Sequence, residues 1–290
     1  SGGLYLDHYQ GDYKIEPVTI PSAPAYLSRT YNYEPVPDTI KSLGLEKHIL
    51  GVQCNNWSEY MYTNAKMEYQ MYPRSLALAE IAWSPAKKKN FTDFARRVDA
   101  NSVRLDERHV RYHIPLPEQP SGSCDKVVIT KDTVVTFQTS RPMKMVYTLD
   151  GSIPTPSSAV YTEPIKVSGN TTIKIATVLP SGKMSKVRTI DVEKQTYAPA
   201  VKLNDAKAGL QLRRMKGNYL KVNQLELADA EWQDCGTVEN LNKMKVSQPD
   251  DAATLRGANN YAAIAEGYIN IPEDGVYYLS SRMEQVWIDN

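Results

Sequence analysis

Two proline-rich breaks, IPLPEQPSGS at 114–123 and QTYAPA at 195–200, constrain this chain more than any other feature. Proline lacks an N–H, and clustered small polar residues favour turns, so neither stretch suits a helix interior or a central strand. The breaks divide 290 residues into three blocks, each long enough for an apolar core of its own. The expected domains are 1–115, 123–194 and 200–290, with the breaks as linkers.

The apolar pattern changes from block to block. In the first, PRSLALAEIAW carries good helix formers, and NFTDFARRVDANSVRLDERH sets Phe91, Phe94, Val98 and Leu105 near one helical face. With Ile49–Val52 as a short buried strand, residues 40–110 read strand, helix, helix. In the second block KVVIT, VVTFQT, KMVYTL, TTIKIATVL and KVRTIDV alternate between turn signals such as LDGS and PSGK, the pattern of a small β-sandwich. The third block is mixed until YINI, the turn PEDG and VYYLSS, which read as a hairpin before the final VWIDN.

Composition excludes several partners. A formal charge of +1, with no basic run interleaved with aromatics, offers nothing to a phosphate backbone, so no nucleic acid is expected. No apolar run reaches the length of a membrane span, and SGGLYLDHYQ has neither the basic nor the apolar region of a signal peptide. Cys54, Cys124 and Cys235 are far apart and odd in number, and the four histidines lack ligand spacing, so neither a disulfide framework nor a metal site is expected. Nineteen tyrosines against three phenylalanines suit a wet binding surface, although exposed sheets favour tyrosine too.

The most chemical stretch is GVQCNNWSEY, residues 51–60. Side chains alternate along a strand, so Asn55, Trp57 and Glu59 would emerge together as a wall with a flat apolar plate and a hydrogen-bond acceptor. A sugar wants both, since its C–H face packs on a ring while its hydroxyls donate to a carboxylate; a core tryptophan beside a solvated glutamate is the plainer reading. LYLDHY repeats the motif with Tyr5 and Asp7, about fifty residues earlier. That spacing fits one parallel crossover, and in a (β/α) barrel both pairs would sit at the carboxyl ends of neighbouring strands, facing one pocket.

YLD, the spacing to ILGVQCNNWSEY, and MYPRSLALAEIAWS together resemble the last quarter of the catalytic barrel of family 20 glycoside hydrolases, the β-N-acetylhexosaminidases, over roughly residues 4–112. The resemblance implies that Tyr5 bonds the carbonyl of the substrate's acetamido group and orients it beneath the anomeric carbon. It implies that Asp7 accepts from a hydroxyl, the 6-hydroxyl by preference, that Trp57 belongs to the aromatic box around the ring, and that Glu59 accepts from the 4-hydroxyl. Arg74 and Glu80 read as structural partners that close the barrel, with Pro73 and Trp83 on the same helical side. Asn55 and Asn56 would shape the rim, while His8 and Tyr9 line the pocket or belong to a solvated loop.

Enzymes of this family use the substrate's acetamido oxygen as nucleophile, with a glutamic acid to protonate the leaving group and an adjacent aspartate to orient the acetamido nitrogen. That Asp-Glu pair has no counterpart here in the right context; Asp106-Glu107 lies on the terminal helix of the first block, where a solvated face is expected. The chain is therefore expected to be the C-terminal portion of a retaining, exo-acting enzyme, needing no metal or cofactor and inactive in isolation. By itself its first domain would leave Leu76, Leu78 and Ile81 exposed. The partners implied are glycans ending in N-acetylglucosamine or N-acetylgalactosamine, and the setting implied is periplasmic or extracellular.

MVYTLDGSIPT resembles the fibronectin type III-like sandwich that follows such barrels; Asp150-Gly151 would make its tight turn, and Tyr161 and Ile165 would return to the core. GYINIPEDGVYYLSS and VWIDN more distantly resemble the protective-antigen-type sandwich, here truncated, with Trp287 as core or ligand platform. The expected architecture is thus multidomain: the C-terminal part of a (β/α)8 TIM barrel followed by two β-sandwich domains. Two alternatives stand beside it: a non-catalytic carbohydrate-binding or adhesin-type module, and an ordinary retaining glycosidase with Asp7 and Glu59 as acid and nucleophile, which needs the carboxyls about 5 Å apart.

Overall fold

The computed structural model describes residues 2–204, 207–216, 232–239, 261–279, 286 and 288. The chain divides into two compact units, Ser1–Gln195 and Thr196–Asn290.

The first unit opens with helices: α1 (Leu27–Tyr31), α2 (Asp38–Ser42), α3 (Asn64–Met71), α4 (Arg74–Trp83) and α5 (Phe91–Glu107). α4 and α5 arise from the two runs that read as helical. α3 is not announced by the pattern, because NAKMEYQM carries almost no apolar stripe; the Thr63 hydroxyl caps it by accepting from the Lys66 N–H at 3.1 Å. Asn90 caps α5 in the same way, accepting from the Asp93 N–H at 3.0 Å. Phe94, Val98 and Leu105 of α5 are buried as their spacing predicts, and the first two join Leu27, Tyr31 and Ala77 in one cluster. Tyr31 stacks on Phe94 with centroids 4.7 Å apart, and its hydroxyl accepts from the Asn90 N–H at 2.6 Å.

Ile49–Val52 is not a strand. Leu50 is 97% exposed, and the only sheet-like pairing in this part of the described chain is an isolated parallel bridge between Tyr5 and Asn55. A buried strand needs neighbours on both edges and both faces, and the segment meets one neighbour for one bridge. The α4 expectation is corrected as well: Ile81 is buried, Leu76 packs against the helical cluster and Leu78 is half-buried, while Trp83, at 89% exposure, is the large apolar side chain of α4 left in solvent.

The second half of the unit is a two-sheet β structure. A five-stranded sheet in the order β1-β7-β6-β3-β4 is built from β1 (Lys126–Ile129), β3 (Lys144–Thr148), β4 (Ala159–Val160), β6 (Thr171–Val178) and β7 (Arg188–Lys194). β2 (Thr133–Val135) pairs antiparallel with β5 (Ile165–Val167) in a second sheet. Alternate residues of both sheets, among them Val135, Met145, Ile165, Ile173, Ile175 and Ile190, share one core. Tyr161 and Ile165 do return to it, and the Tyr161 hydroxyl accepts from the Phe137 N–H at 2.8 Å. Gly151 sits at φ +79°, a left-handed turn conformation that only glycine adopts without strain, and Asp150 Oδ1 closes the turn on the Ser152 N–H at 3.0 Å.

The break expected to be a linker at 114–123 is, over its first six residues, instead a buried strap. Residues 112–119 are all buried, and Tyr112 and Ile114 join Leu105 and Leu179 in a cluster shared by α5 and the β structure. Prolines at 115 and 117 cannot donate, but their carbonyls still need donors, which side chains supply. Thr177 donates to Pro115 O at 2.6 Å and Arg188 to Pro117 O at 2.8 Å. Proline thus marked the absence of regular structure correctly and said nothing about burial.

In the second unit, β8 (Leu210–Lys216) pairs antiparallel with β9 (Gln233–Val238) and with β10 (Tyr261–Glu266), in the order β10-β8-β9. Leu212, Met215 and Ala262 are buried. The hairpin expected from YINI and VYYLSS is absent from its described residues, 268–279, which carry no strand. The strand is the run YAAIAE just before it, whose alanines argue weakly for β structure and so hid the alternation. Trp287 lies outside the described residues.

Candidate functional site

The two aromatic-carboxylate segments meet through their main chains. The Leu6 N–H donates to Asn55 O at 2.7 Å and the Asn55 N–H to Leu4 O at 3.0 Å, which sets Tyr5 and Asn55 side by side in parallel. The pairing then stops, because the chain turns at Leu6–Asp7 on one side and at Ser58–Tyr60 on the other. Tyr5, Asp7, Trp57 and Glu59 are therefore delivered by two adjoining turns, not by the continuous strand alternation expected. Asp7 is 4% exposed, Trp57 is 55% exposed and Glu59 lies open to solvent.

A clamp of polar side chains holds the first turn. Arg74, fully buried at the start of α4, donates to the carbonyls of Leu6 at 2.6 Å, Gln70 at 2.8 Å, His8 at 3.2 Å and Ala25 at 3.2 Å. Its burial pulls its pKa down, opposed by the charges of Glu16 and Asp7. The Asp7 carbonyl accepts from the Thr19 hydroxyl and from Gln70 Nε2 at 3.4 Å, and Gln70 also donates to Thr19 at 2.9 Å. The structural role read for Arg74 holds but its partner does not, because Glu80 pairs with Arg97 on α5 through a bond of 3.0 Å and a second, shorter one. Gln70 and Thr19 carried no sequence signal, since isolated neutral polar residues become informative only when their burial is known.

With its main chain so held, Asp7 keeps one side-chain oxygen, Oδ1, buried and without a hydrogen-bond partner among the described residues. Beside it, the Tyr5 ring stacks on His8 with centroids 5.6 Å apart and planes 14° from parallel. Burial lowers the His8 pKa; the charge of Asp7 opposes this, while Arg74 and Arg29 reinforce it. His8 Nδ1 and both amide atoms of Asn56 are also buried without partners among the described residues. Tyr9 is buried against the edge of Tyr13, and burial pushes the Cys54 thiol up, away from thiolate chemistry.

Asp106 is not merely solvated. It accepts from the Tyr112 hydroxyl at 3.0 Å and pairs with Lys183. That pairing commits it to packing the strap, where Lys183 Nζ also lies 4.2 Å from the centre of the Tyr112 ring. Among the described residues no group of three or more His, Cys, Asp or Glu is placed to hold a metal ion, and no helix is long and apolar enough to cross a membrane.

Comparison with known proteins agrees with the motifs. Residues 1–86 match the family model of glycosyl hydrolase family 20, catalytic domain. Residues 126–189 match that of the chitobiase/beta-hexosaminidase C-terminal domain. A beta-hexosaminidase of Porphyromonas gingivalis is 46% identical over 297 aligned positions that take in 100% of this chain and 37% of the relative. A beta-hexosaminidase of Vibrio furnissii is 39% identical over 75 residues, 26% of this chain and 12% of that protein. Among solved structures, a family 20 exo beta-N-acetylglucosaminidase from Vibrio harveyi in complex with N-acetylglucosamine aligns at TM-score 0.36 and 32% identity, over 38% of this chain and 17% of its own. The family resemblance read from the motifs is therefore met, and the chain spans little more than a third of the length of the Porphyromonas relative that it matches throughout, at 37%.

Proposed function

We propose that this chain is the C-terminal portion of an exo-acting, retaining β-N-acetylhexosaminidase that releases terminal N-acetylhexosamine through an oxazolinium formed by the substrate's own acetamido group. Tyr5 donates to the acetamido carbonyl and aligns it for attack, Asp7 and Glu59 accept from sugar hydroxyls, and Trp57 packs on the ring face. The acid and the acetamide-orienting aspartate come from the part of the enzyme upstream of this chain. Residues 1–115 are the end of the (β/α)8 barrel, residues 123–194 a fibronectin type III-like sandwich, and residues 200–290 a further β-sandwich and candidate carbohydrate-binding module. The enzyme acts outside the cytoplasm.

The observation that carries the reading is Asp7 Oδ1, a buried acceptor with no donor among the described residues, in a turn joined by main-chain bonds to the segment of Trp57 and Glu59. A buried carboxylate oxygen is costly unless a ligand satisfies it, and a sugar hydroxyl does so. The full-length protein is expected to hydrolyse a chromogenic β-N-acetylglucosaminide, and the purified 290-residue chain is expected not to. Activity of the chain within a few fold of the full-length protein's would place the catalytic groups inside it and overturn the assignment of roles.

A further inference from the structure

The strap leading into the β structure is tied directly to the loop that follows Asp7, and one residue makes both attachments. Glu118 exchanges main-chain hydrogen bonds with Gln138 in both directions, each 2.8 Å, which fixes it to the β structure. Its side chain points the other way: Oε1 accepts from the Asp12 N–H at 2.8 Å and Oε2 from the Tyr26 hydroxyl at 3.0 Å. Asp12 returns the contact, its Oδ2 accepting from the Ser123 N–H at 2.7 Å. Four residues further along the loop, Glu16 accepts from Tyr69 at 2.6 Å and lies 3.0 Å from Nε2 of His113, in the same strap.

Gly11 lies between these carboxylates. A Cβ there would sit 2.8 Å from Glu118 Oε1 and 2.8 Å from Glu16 Oε1, so any side chain at this point would displace the two carboxylates. Loops that present ligand groups are ordinarily mobile, and ordering them on binding costs affinity. Here the ordering is done beforehand by a segment belonging to another layer of the unit.

We propose that Glu118 is a positioning residue for the sugar site: it holds residues 8–12 in register, and through them the Asp7 turn, so that the appended β structure preorganises substrate binding. The inference rests on the proposed reading of Asp7 as a hydroxyl acceptor. Preorganisation of a ground-state contact acts equally on substrate and transition state, so its loss shows in KM while kcat stays nearly constant.

The test is made in the full-length enzyme. Glu118→Ala is expected to raise KM for a chromogenic N-acetylglucosaminide about tenfold with kcat within about twofold. Glu118→Gln, whose amide still accepts from Asp12 and donates to the Tyr26 oxygen, restores KM to within about twofold of the parent. The substrate lacking the 6-hydroxyl should show a smaller rise in KM in the Ala variant. Tyr26→Phe, which removes one bond and keeps the fold, is expected to raise KM about threefold and to speed amide exchange in residues 8–12, and it decides the matter where Glu118→Ala does not fold. A folded Ala variant with parental KM, a Gln variant no better than Ala, or a parental Tyr26→Phe would each overturn the proposal. A parent inactive on N-acetylhexosaminides would overturn the site reading instead.

Discussion

The guanidinium of Arg74 donates to the carbonyl of Leu6 across 2.6 Å, from the first residue of α4 to the residue between Tyr5 and Asp7. Three further carbonyls, those of Gln70, His8 and Ala25, accept from the same group. One buried cation thus fixes the site turn, the start of α4 and the approach to α1. Arg74→Met would leave these acceptors without donors inside the core, and unsatisfied buried groups cost about 1–3 kcal/mol each. The expected loss is at least 3 kcal/mol, roughly the range for breaking a buried charge network, read as a lower denaturation midpoint of the full-length enzyme at unchanged slope.

Glu59→Gln in the full-length enzyme is expected to lower kcat/KM by about 10- to 150-fold, the equivalent of roughly 1.5–3 kcal/mol for a charge-assisted hydrogen bond. Against a 4-deoxy substrate the loss should shrink toward none. Equal losses on both substrates would remove Glu59 from the 4-hydroxyl.

Tyr5→Phe should reduce kcat far more than it alters KM, because aligning the acetamido nucleophile is expressed chiefly in the transition state. Paired kinetics on one N-acetylglucosaminide check this. A raised KM with parental kcat would limit Tyr5 to holding the ground state.

Acid should loosen the loop after Asp7. Burial pushes the Glu16 carboxyl up, but the charge and hydrogen bond of His113, the bond from Tyr69 and the charge of Lys66 outweigh it, leaving its pKa below the usual 4.5. Asp12 is also held below 3.8: burial raises it, and the Lys14 and Ser123 N–H groups more than compensate. Groups with depressed folded values stabilise the fold fully above their unfolded values, about 4, and lose that contribution as pH falls through the folded ones. Melting temperature should therefore fall between about pH 5 and pH 3, and Glu16→Gln should flatten that slope while lowering stability at pH 7. A parental slope in the variant would show that Glu16 is not among the linked groups.

The juxtaposition of two short segments was legible in the sequence where much of the fold around them was not. Tyr5, Asp7, Trp57 and Glu59 stood out because an aromatic and a carboxylate two apart is a local pattern, and the parallel bridge of Tyr5 with Asn55 joins their segments. The strands of the second block were legible for a similar reason: Ile173, Ile175 and Ile190 alternate with polar neighbours and face one core. What failed depended on non-local partners. Ile49–Val52 looks buried by composition yet needs neighbouring strands to be so, and 114–123 looks like a linker yet is buried as far as 119, its carbonyls met by Thr177 and Arg188 from over sixty positions away. Neither Gln70 nor Glu118 differs in sequence from a surface residue; burial and direction give them their roles.

The buried strap also bears on where this protein can be recombined. A chimera joined inside 112–119 would sever the donors that Thr177 and Arg188 supply and strand Glu118 without Gln138, whichever foreign sandwich was attached. A junction next to Gln195, where one compact unit ends, crosses none of these bonds. A recombination point that respects these bonds therefore lies at the end of the first unit, and its β structure travels with the helical segment it braces.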